Sequence, residues 1–338
     1  MNAIPGLVVN DLHVTFKGRR KFRGGRREIR AVRGVSFELA PGGSLGLVGE
    51  SGSGKSTTGR AIVRLLDIER GTVTIGGVDF SSLRGKALRS QRRSVQMIFQ
   101  DSNASLDPSL MIGDSIAEPI STHLRVSRAE RAERVGNLLE RVGLSRDWAS
   151  RYPHSFSGGQ RQRIAIARAL AAEPKVVILD ESLSGLDSTT QTQVIGLLED
   201  LRASSDIAYL FITHDLAVAK RITDRVAVMY AGQIVELAPT ADVFASPRHP
   251  YTQALLAAVP VPVPWVQRAR EPLVLEGEPP DPARPVGGCP FATRCFYVMD
   301  KCRAEAPPAV ELAGNGIVRC HLHADGIQQL PTQRKAVL

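Results

Sequence analysis

Residues 45–66 read LGLVGESGSGKSTTGRAIVRLL. Gly49 to Ser56 satisfies G-x-x-x-x-G-K-S, directly after a short apolar run and directly before an amphipathic stretch, the strand–loop–helix setting a phosphate loop requires. Glycines let the backbone curl so that successive N–H groups aim at one point, where the next helix adds the positive end of its dipole. Gly49, Ser51, Gly52, Ser53, Gly54, Lys55, Ser56 and Thr57 are the expected phosphate contacts. Lys55 is placed to reach the β- and γ-phosphates, and the Ser56 hydroxyl to take a Mg2+ coordination site. The chain is expected to bind a nucleoside triphosphate.

A second stretch supplies what that loop lacks. In KVVILDES, Val176 to Leu179 read as a buried strand ending at Asp180, and an aspartate at the carboxyl end of such a strand suits a Mg2+ site. Glu181 follows, a second carboxylate fit to polarise a water for attack on the γ-phosphate. SLGLV, SVQMIF and AYLFIT are further continuous apolar runs, the pattern of strands buried on both faces. LVVNDLHVTF, VSFEL and TVTIGGVDF alternate instead and predict antiparallel strands, with Gly76-Gly77 as a hairpin signal. Between Pro108 and Leu170 the strand signal vanishes, and IAEPI, RAERAERVGNLLERVGL and QRQRIAIARAL carry helical spacing. The expected fold is an α/β phosphate-loop core with an antiparallel β subdomain and an inserted helical subdomain over about 105–170. Residues 1–258 form this body, 259–285 a proline-rich linker, and 286–326 a small cysteine-rich tail.

Composition narrows the function. The 338 residues are 43% hydrophobic and 23% charged, ordinary globular proportions. The start, MNAIPGLVVNDLHV, lacks the basic and apolar regions of a secretory signal, and no apolar run approaches the roughly 18 residues a spanning helix needs. The formal charge of +9 suggests nucleic acid, but KGRRKFRGGRREIR, residues 17–30, carries +7 of it, leaving +2 elsewhere. That excess is one local loop, either a solvated hairpin tip or a contact for acidic lipid or a partner, and no nucleic-acid partner is expected. There is no long-period repeat, so the chain is one cassette.

FSGGQRQR, residues 156–163, opens a helix with a serine and two glycines, leaving first-turn N–H groups for an outside anion. FSGGQ resembles the signature of ATP-binding cassette ATPases. The order of the other motifs agrees: phosphate loop, Gln100 after SVQMIF, signature, VVILDE, SGLD at 184–187, and His214 after AYLFIT. The resemblance covers about residues 7–258. It implies that Ser157, Gly158, Gly159 and Gln160 bind the γ-phosphate of ATP held by an opposite subunit. Gln100 resembles the glutamine that links the metal site to the helical lobe, a plain loop amide being the other reading. Asp187 resembles the aspartate that crosses the dimer seam, and an N-cap is an equally physical role for it. His214 resembles the switch histidine at the γ-phosphate, with a structural histidine as the alternative. Phe16 is the candidate to stack on adenine, or else a core strand residue. Ser182-Leu183 stands where Pro-Thr is frequent, which removes no catalytic group.

YPHSFSGGQRQRIAIARAL, YAGQIVE, SPRHPYTQALL and the cysteine tail together resemble the second of the two ATPases of oligopeptide and dipeptide importers. That implies a second, different ABC ATPase subunit, two integral membrane permease subunits and an extracytoplasmic peptide-binding protein, with this chain peripheral at the cytoplasmic face of the inner membrane. Nickel and glutathione importers share the ATPase type, and a soluble ABC ATPase outside transport is a further alternative. Cys289, Cys295, Cys302 and Cys320 are the only cysteines, and clustered cysteines in a cytosolic chain favour metal over a disulfide. Paired C-x-x-C spacing is absent. The resemblance implies a [4Fe–4S] cluster, with zinc or free structural thiols as alternatives.

Overall fold

A computed structural model describes residues 4–18, 28–100, 105–260, 265, 275, 277–284 and 287–324. Most of the proline-rich linker and residues 19–27 of the basic loop lie outside the described residues.

In chain order, the strands are β1 (Leu7–Lys17), β2 (Glu28–Leu39) and β3 (Ser44–Val48), followed by helix α1 (Lys55–Ile62). Then come β4 (Arg70–Ile75), β5 (Val78–Asp79), α2 (Gly85–Gln91), β6 (Val95–Ile98), α3 (Ile112–His123), α4 (Arg128–Arg141) and α5 (Gly158–Leu170). They continue with β7 (Val176–Asp180), α6 (Ser188–Ala203), β8 (Ala208–Thr213), α7 (Leu216–Ile222), β9 (Arg225–Tyr230) and β10 (Gln233–Pro239). The last are α8 (Thr240–Ala245), α9 (Pro250–Ala257), α10 (Asp300–Ala304), β11 (Val310–Leu312), β12 (Gly316–Val318) and α11 (His321–Ala324).

The chain divides into two compact units: Met1–Asn10, Phe37–Ser44 and Gly59–Ile212 form the first, and Asp11–Ser36, Leu45–Thr58 and Thr213–Leu338 the second. In the first unit β6, β7 and β8 run parallel, with Val95 opposite Val176 and Val176 opposite Ala208. Val176 to Asp180 are buried throughout, as a strand covered on both faces demands. The β4–β5 hairpin turns at Gly76 and Gly77, whose φ of 52° and 84° meet the left-handed requirement of a tight two-residue turn. The helical subdomain is α3 to α5. Its α4 begins at Ser127, whose side chain accepts the Glu130 N–H, and buries Val135, Leu138 and Leu139 on one stripe.

In the second unit β3 pairs parallel with β9, and β9, β10, β12 and β11 continue as antiparallel neighbours. The C-terminal segment joins this sheet through β12, where Val318 lies opposite Glu236. Its side chains enter the same core: Phe291 is buried with Tyr230, Tyr251, Val48 and Val228. A segment of about forty residues has too little apolar surface for a core of its own, and sharing one solves that.

Candidate nucleotide site

The second unit carries the phosphate loop. All five residues of β3 are buried, so the chain leaves the sheet at a fixed point and direction. Two glycines then have no substitute. At Gly49, φ is 150° and an added Cβ would lie 2.2 Å from the Met229 carbonyl oxygen. At Gly54, φ is 104° and the Cβ would lie 2.4 Å from the Ala31 oxygen. Backbone therefore packs against backbone, and the loop closes as a nest of N–H groups. The Lys55 ammonium, buried within it, donates to the carbonyls of Gly49 and Glu50, each at 2.8 Å. Ser53 is buried and its carbonyl accepts the Gly232 N–H at 2.9 Å. Ser51 and Gly52 form an exposed rim, and Ser56 and Thr57 are half-buried in the first turn of α1.

His214 is exposed where β8 ends, and Asp215 beside it caps α7 by accepting the Ala217 and Val218 N–H groups. Phe16 keeps the phase of the buried Leu12 and Val14 on β1 but is 41% exposed. Phe16 is therefore not one of the buried core residues of β1.

The first unit carries the carboxylates. Asp180 ends β7 at 2% exposure, and the Arg60 guanidinium lies 3.9 Å from it. Glu181 sits at φ 47°, in the left-handed region, held there by its N–H donating to Ile212 oxygen at 2.8 Å. A non-glycine residue in that region is strained, and such strain gathers at sites of function. Gln100 donates from Nε2 to Glu181 Oε2 at 3.4 Å across 81 residues of sequence, so the glutamine and the carboxylate are brought together. The signature begins α5 with a capping box: Ser157 Oγ accepts the Gln160 N–H at 3.3 Å, and Gln160 Oε1 accepts the Ser157 N–H at 2.9 Å. Asp187 caps α6 by accepting the Thr190 N–H at 2.9 Å, which holds its carboxyl below the usual range. Both starts are adjacent, since Gly159 faces Thr190 too closely for any side chain.

The cysteines differ from expectation. Cys302 and Cys320 are buried, Cys289 and Cys295 half-buried, and all four are free thiols. They line one cavity with His249, Phe291 and His321, but its volume is about 10 Å³, room for roughly one water. Among the described residues no group of three or more His, Cys, Asp or Glu could hold a metal ion. Burial pushes the Cys295 and Cys320 thiols up to about 12. A four-iron cube does not fit this arrangement, and neither the [4Fe–4S] expectation nor zinc is supported. Sequence reading also missed Glu50, Tyr251 and Arg294. HPY is visible in the sequence, yet nothing local says that its tyrosine hydroxyl reaches residue 50.

Among the described residues no helix is long and apolar enough to cross a membrane. Residues 32–184 match the ABC transporter family model, and residues 235–302 match the oligopeptide/dipeptide transporter C-terminal region. The chain is 50% identical over 296 residues, 88% of its length and 83% of the relative's, to a probable peptide ABC transporter ATP-binding protein of Sinorhizobium fredii. It is 48% identical to the oligopeptide transport ATP-binding protein AppF of Bacillus subtilis, with 88% and 91% covered. A glutathione import ATP-binding protein of Pectobacterium atrosepticum is 54% identical over 264 residues, 78% of this chain and 42% of that longer one. Among solved structures, the ATP-binding cassette MJ0796, dimeric in a post-hydrolysis state with ADP and Pi, superposes with a TM-score of 0.61 at 28% identity, over 69% of this chain and 98% of that one. Family-model matches and relatives near 50% identity over most of both chains agree: the chain belongs to the ABC transporter ATPases, in the group that carries the oligopeptide/dipeptide transporter C-terminal region.

Proposed function

We propose that this chain hydrolyses ATP to drive a peptide importer whose channel is formed by separate membrane subunits. The observation that carries this reading is that one chain holds both complements of a shared ATP site: a phosphate loop closed by backbone packing, and a signature helix that opens on Gly158 and Gly159 behind a Ser157–Gln160 capping box. In this reading the loop from Gly49 to Thr57 takes the phosphates of one nucleotide, and Ser157 to Gln160 serve the γ-phosphate held by an opposite subunit. Ser56, Gln100 and Asp180 would each be a ligand to Mg2+, which would supply neutralisation of the charge on the phosphate oxygens. Glu181 orients and deprotonates the attacking water, and its contact with Gln100 ties that event to the helical subdomain. His214 contacts the γ-phosphate, Asp187 meets the opposite subunit, and Phe16 stacks on adenine.

The partners proposed are a second, different ABC ATPase subunit, two integral permease subunits and an extracytoplasmic peptide-binding protein. The chain would sit peripherally at the cytoplasmic face of the inner membrane. Peptide as substrate is supported by the C-terminal region and the names of two relatives; glutathione is the second reading, favoured by the third. The test is the ATPase rate of the assembled transporter in liposomes as its binding protein is loaded in turn with peptide, glutathione or nickel. Stimulation by peptide supports the proposal, stimulation by glutathione or nickel alone moves the chain to that class, and failure to co-purify with membrane subunits removes the transport reading.

A further inference from the structure

Glu50 is a carboxylate inside a loop built to receive a polyanion, and such a charge opposes the ligand unless something neutralises it. The neutralising group comes from 244 residues away. Arg294 donates from Nη1 and Nη2 to the two Glu50 oxygens at 2.9 and 3.1 Å, a two-pronged pair. The Arg294 side chain is only 7% exposed; its guanidinium lies 5.9 Å from the Tyr230 ring centroid and 3.4 Å from that tyrosine's hydroxyl. Glu50 is held a second time through its backbone, whose N–H donates to the Tyr251 hydroxyl at 2.9 Å. Tyr251 is fixed in turn, because its own N–H donates to His249 Nδ1 at 3.0 Å and the His249 N–H donates to the buried Glu236 at 2.8 Å. Rings of Tyr230, Tyr251 and Phe291 pack at 4.6 to 5.5 Å behind these contacts. The carbonyl of this same Glu50 accepts from the Lys55 ammonium.

A part-buried ion pair gains little net stability, since desolvation offsets much of the attraction, so its geometry is better explained by what it orients. We propose that Arg294, with Tyr251, is a positioning residue for nucleotide binding: the C-terminal segment pins Glu50, cancels its charge, and so sets the phosphate loop and Lys55 for ATP. This rests on the nucleotide reading of the loop. It gives the cysteine-bearing segment a task in the ATPase cycle that requires no metal.

The test is equilibrium ATP binding by the full-length chain, measured well below the lowest melting temperature of the set. Arg294→Met is expected to raise the ATP Kd about ten-fold, the scale of one uncompensated charge several ångströms away. Arg294→Lys keeps the charge without the fork and should fall between that variant and wild type. Adding Glu50→Gln to Arg294→Met removes the stranded carboxylate and should recover part of the affinity. Unchanged Kd in Arg294→Met, even with a lowered melting temperature, would show a purely structural pair and overturn the inference, as would a double variant no better than the single. Should Arg294→Met not fold, Arg294→Lys and Glu50→Gln alone carry the test: equal Kd in both and in wild type overturns it. A wild-type chain that binds no ATP overturns the nucleotide reading itself and this inference with it.

Discussion

The phosphate loop and the cysteine-bearing segment both belong to the second unit, and sequence alone described one well and the other badly. In the loop the chemistry is done by backbone, and backbone shape is dictated by which positions reject a side chain. Gly49 and Gly54 are such positions, so a short spacing pattern specifies the geometry. In the segment the chemistry depends on where four thiols end up, and their spacing constrains that only weakly. They converge on one cavity, but on one of about 10 Å³. Convergence of ligand-type residues is therefore not a metal site until the space between them is known.

The sharpest way to break this contrast is Lys55→Ala. Its ammonium is buried in the loop, so its loss is expected to lower ATP turnover by roughly 10²–10³, the range seen when one preorganised charge or donor is removed from a transition state. Turnover within a few-fold of wild type would mean that the loop is not the nucleotide site. Next is Phe291→Ala in the segment, where the ring is 1% exposed and touches three other aromatic rings. Truncation should cost about 3–5 kcal/mol in denaturant unfolding. A loss below about 1 kcal/mol would show that the segment does not share the sheet's core.

A third experiment uses pH. Burial, with the His323 charge as a lesser cause, lowers the His249 imidazole to about 3, so it stays neutral in the fold. A depressed folded value means that the unfolded chain takes up the proton first. The stability contributed is whole above the unfolded value of about 6.5 and is lost as pH falls toward 3, by at most about 1.4 kcal/mol per pH unit. Unfolding midpoints at pH 7, 5.5 and 4 should fall in that order, and His249→Asn, which can still cap α9, should flatten the slope. An unaltered slope in that variant assigns the acid sensitivity elsewhere. The smallest effect expected is from Ser157→Ala, which removes the cap of α5 and costs about 1 kcal/mol of stability. If the signature works as proposed, turnover by the assembled transporter should fall by more than that stability loss accounts for.

What was legible in the sequence follows the same division. The buried strands Val176–Asp180 and Ala208–Thr213 stood out because continuous apolar runs have few other uses, whereas Val95–Ile98 is a strand as expected but only half-buried at Gln96 and Met97. Ser157 as a cap was legible because capping is local, spanning three residues. Phe16 was ambiguous because alternation along β1 gives its phase and not the point where the core ends. Glu50 with Arg294, and Val318 with Glu236, were invisible: each joins residues more than eighty positions apart, and no periodicity encodes such a pairing.

The central claim is that ATP is clamped between two such chains, each completing the other's site. Glu181→Gln tests it most directly, measured as ATP hydrolysis and as ATP-dependent association with the partner ATPase. The account predicts intact ATP binding, abolished turnover and a stable closed dimer; subunits that bind ATP yet never associate, or a variant that hydrolyses at the wild-type rate, would contradict it.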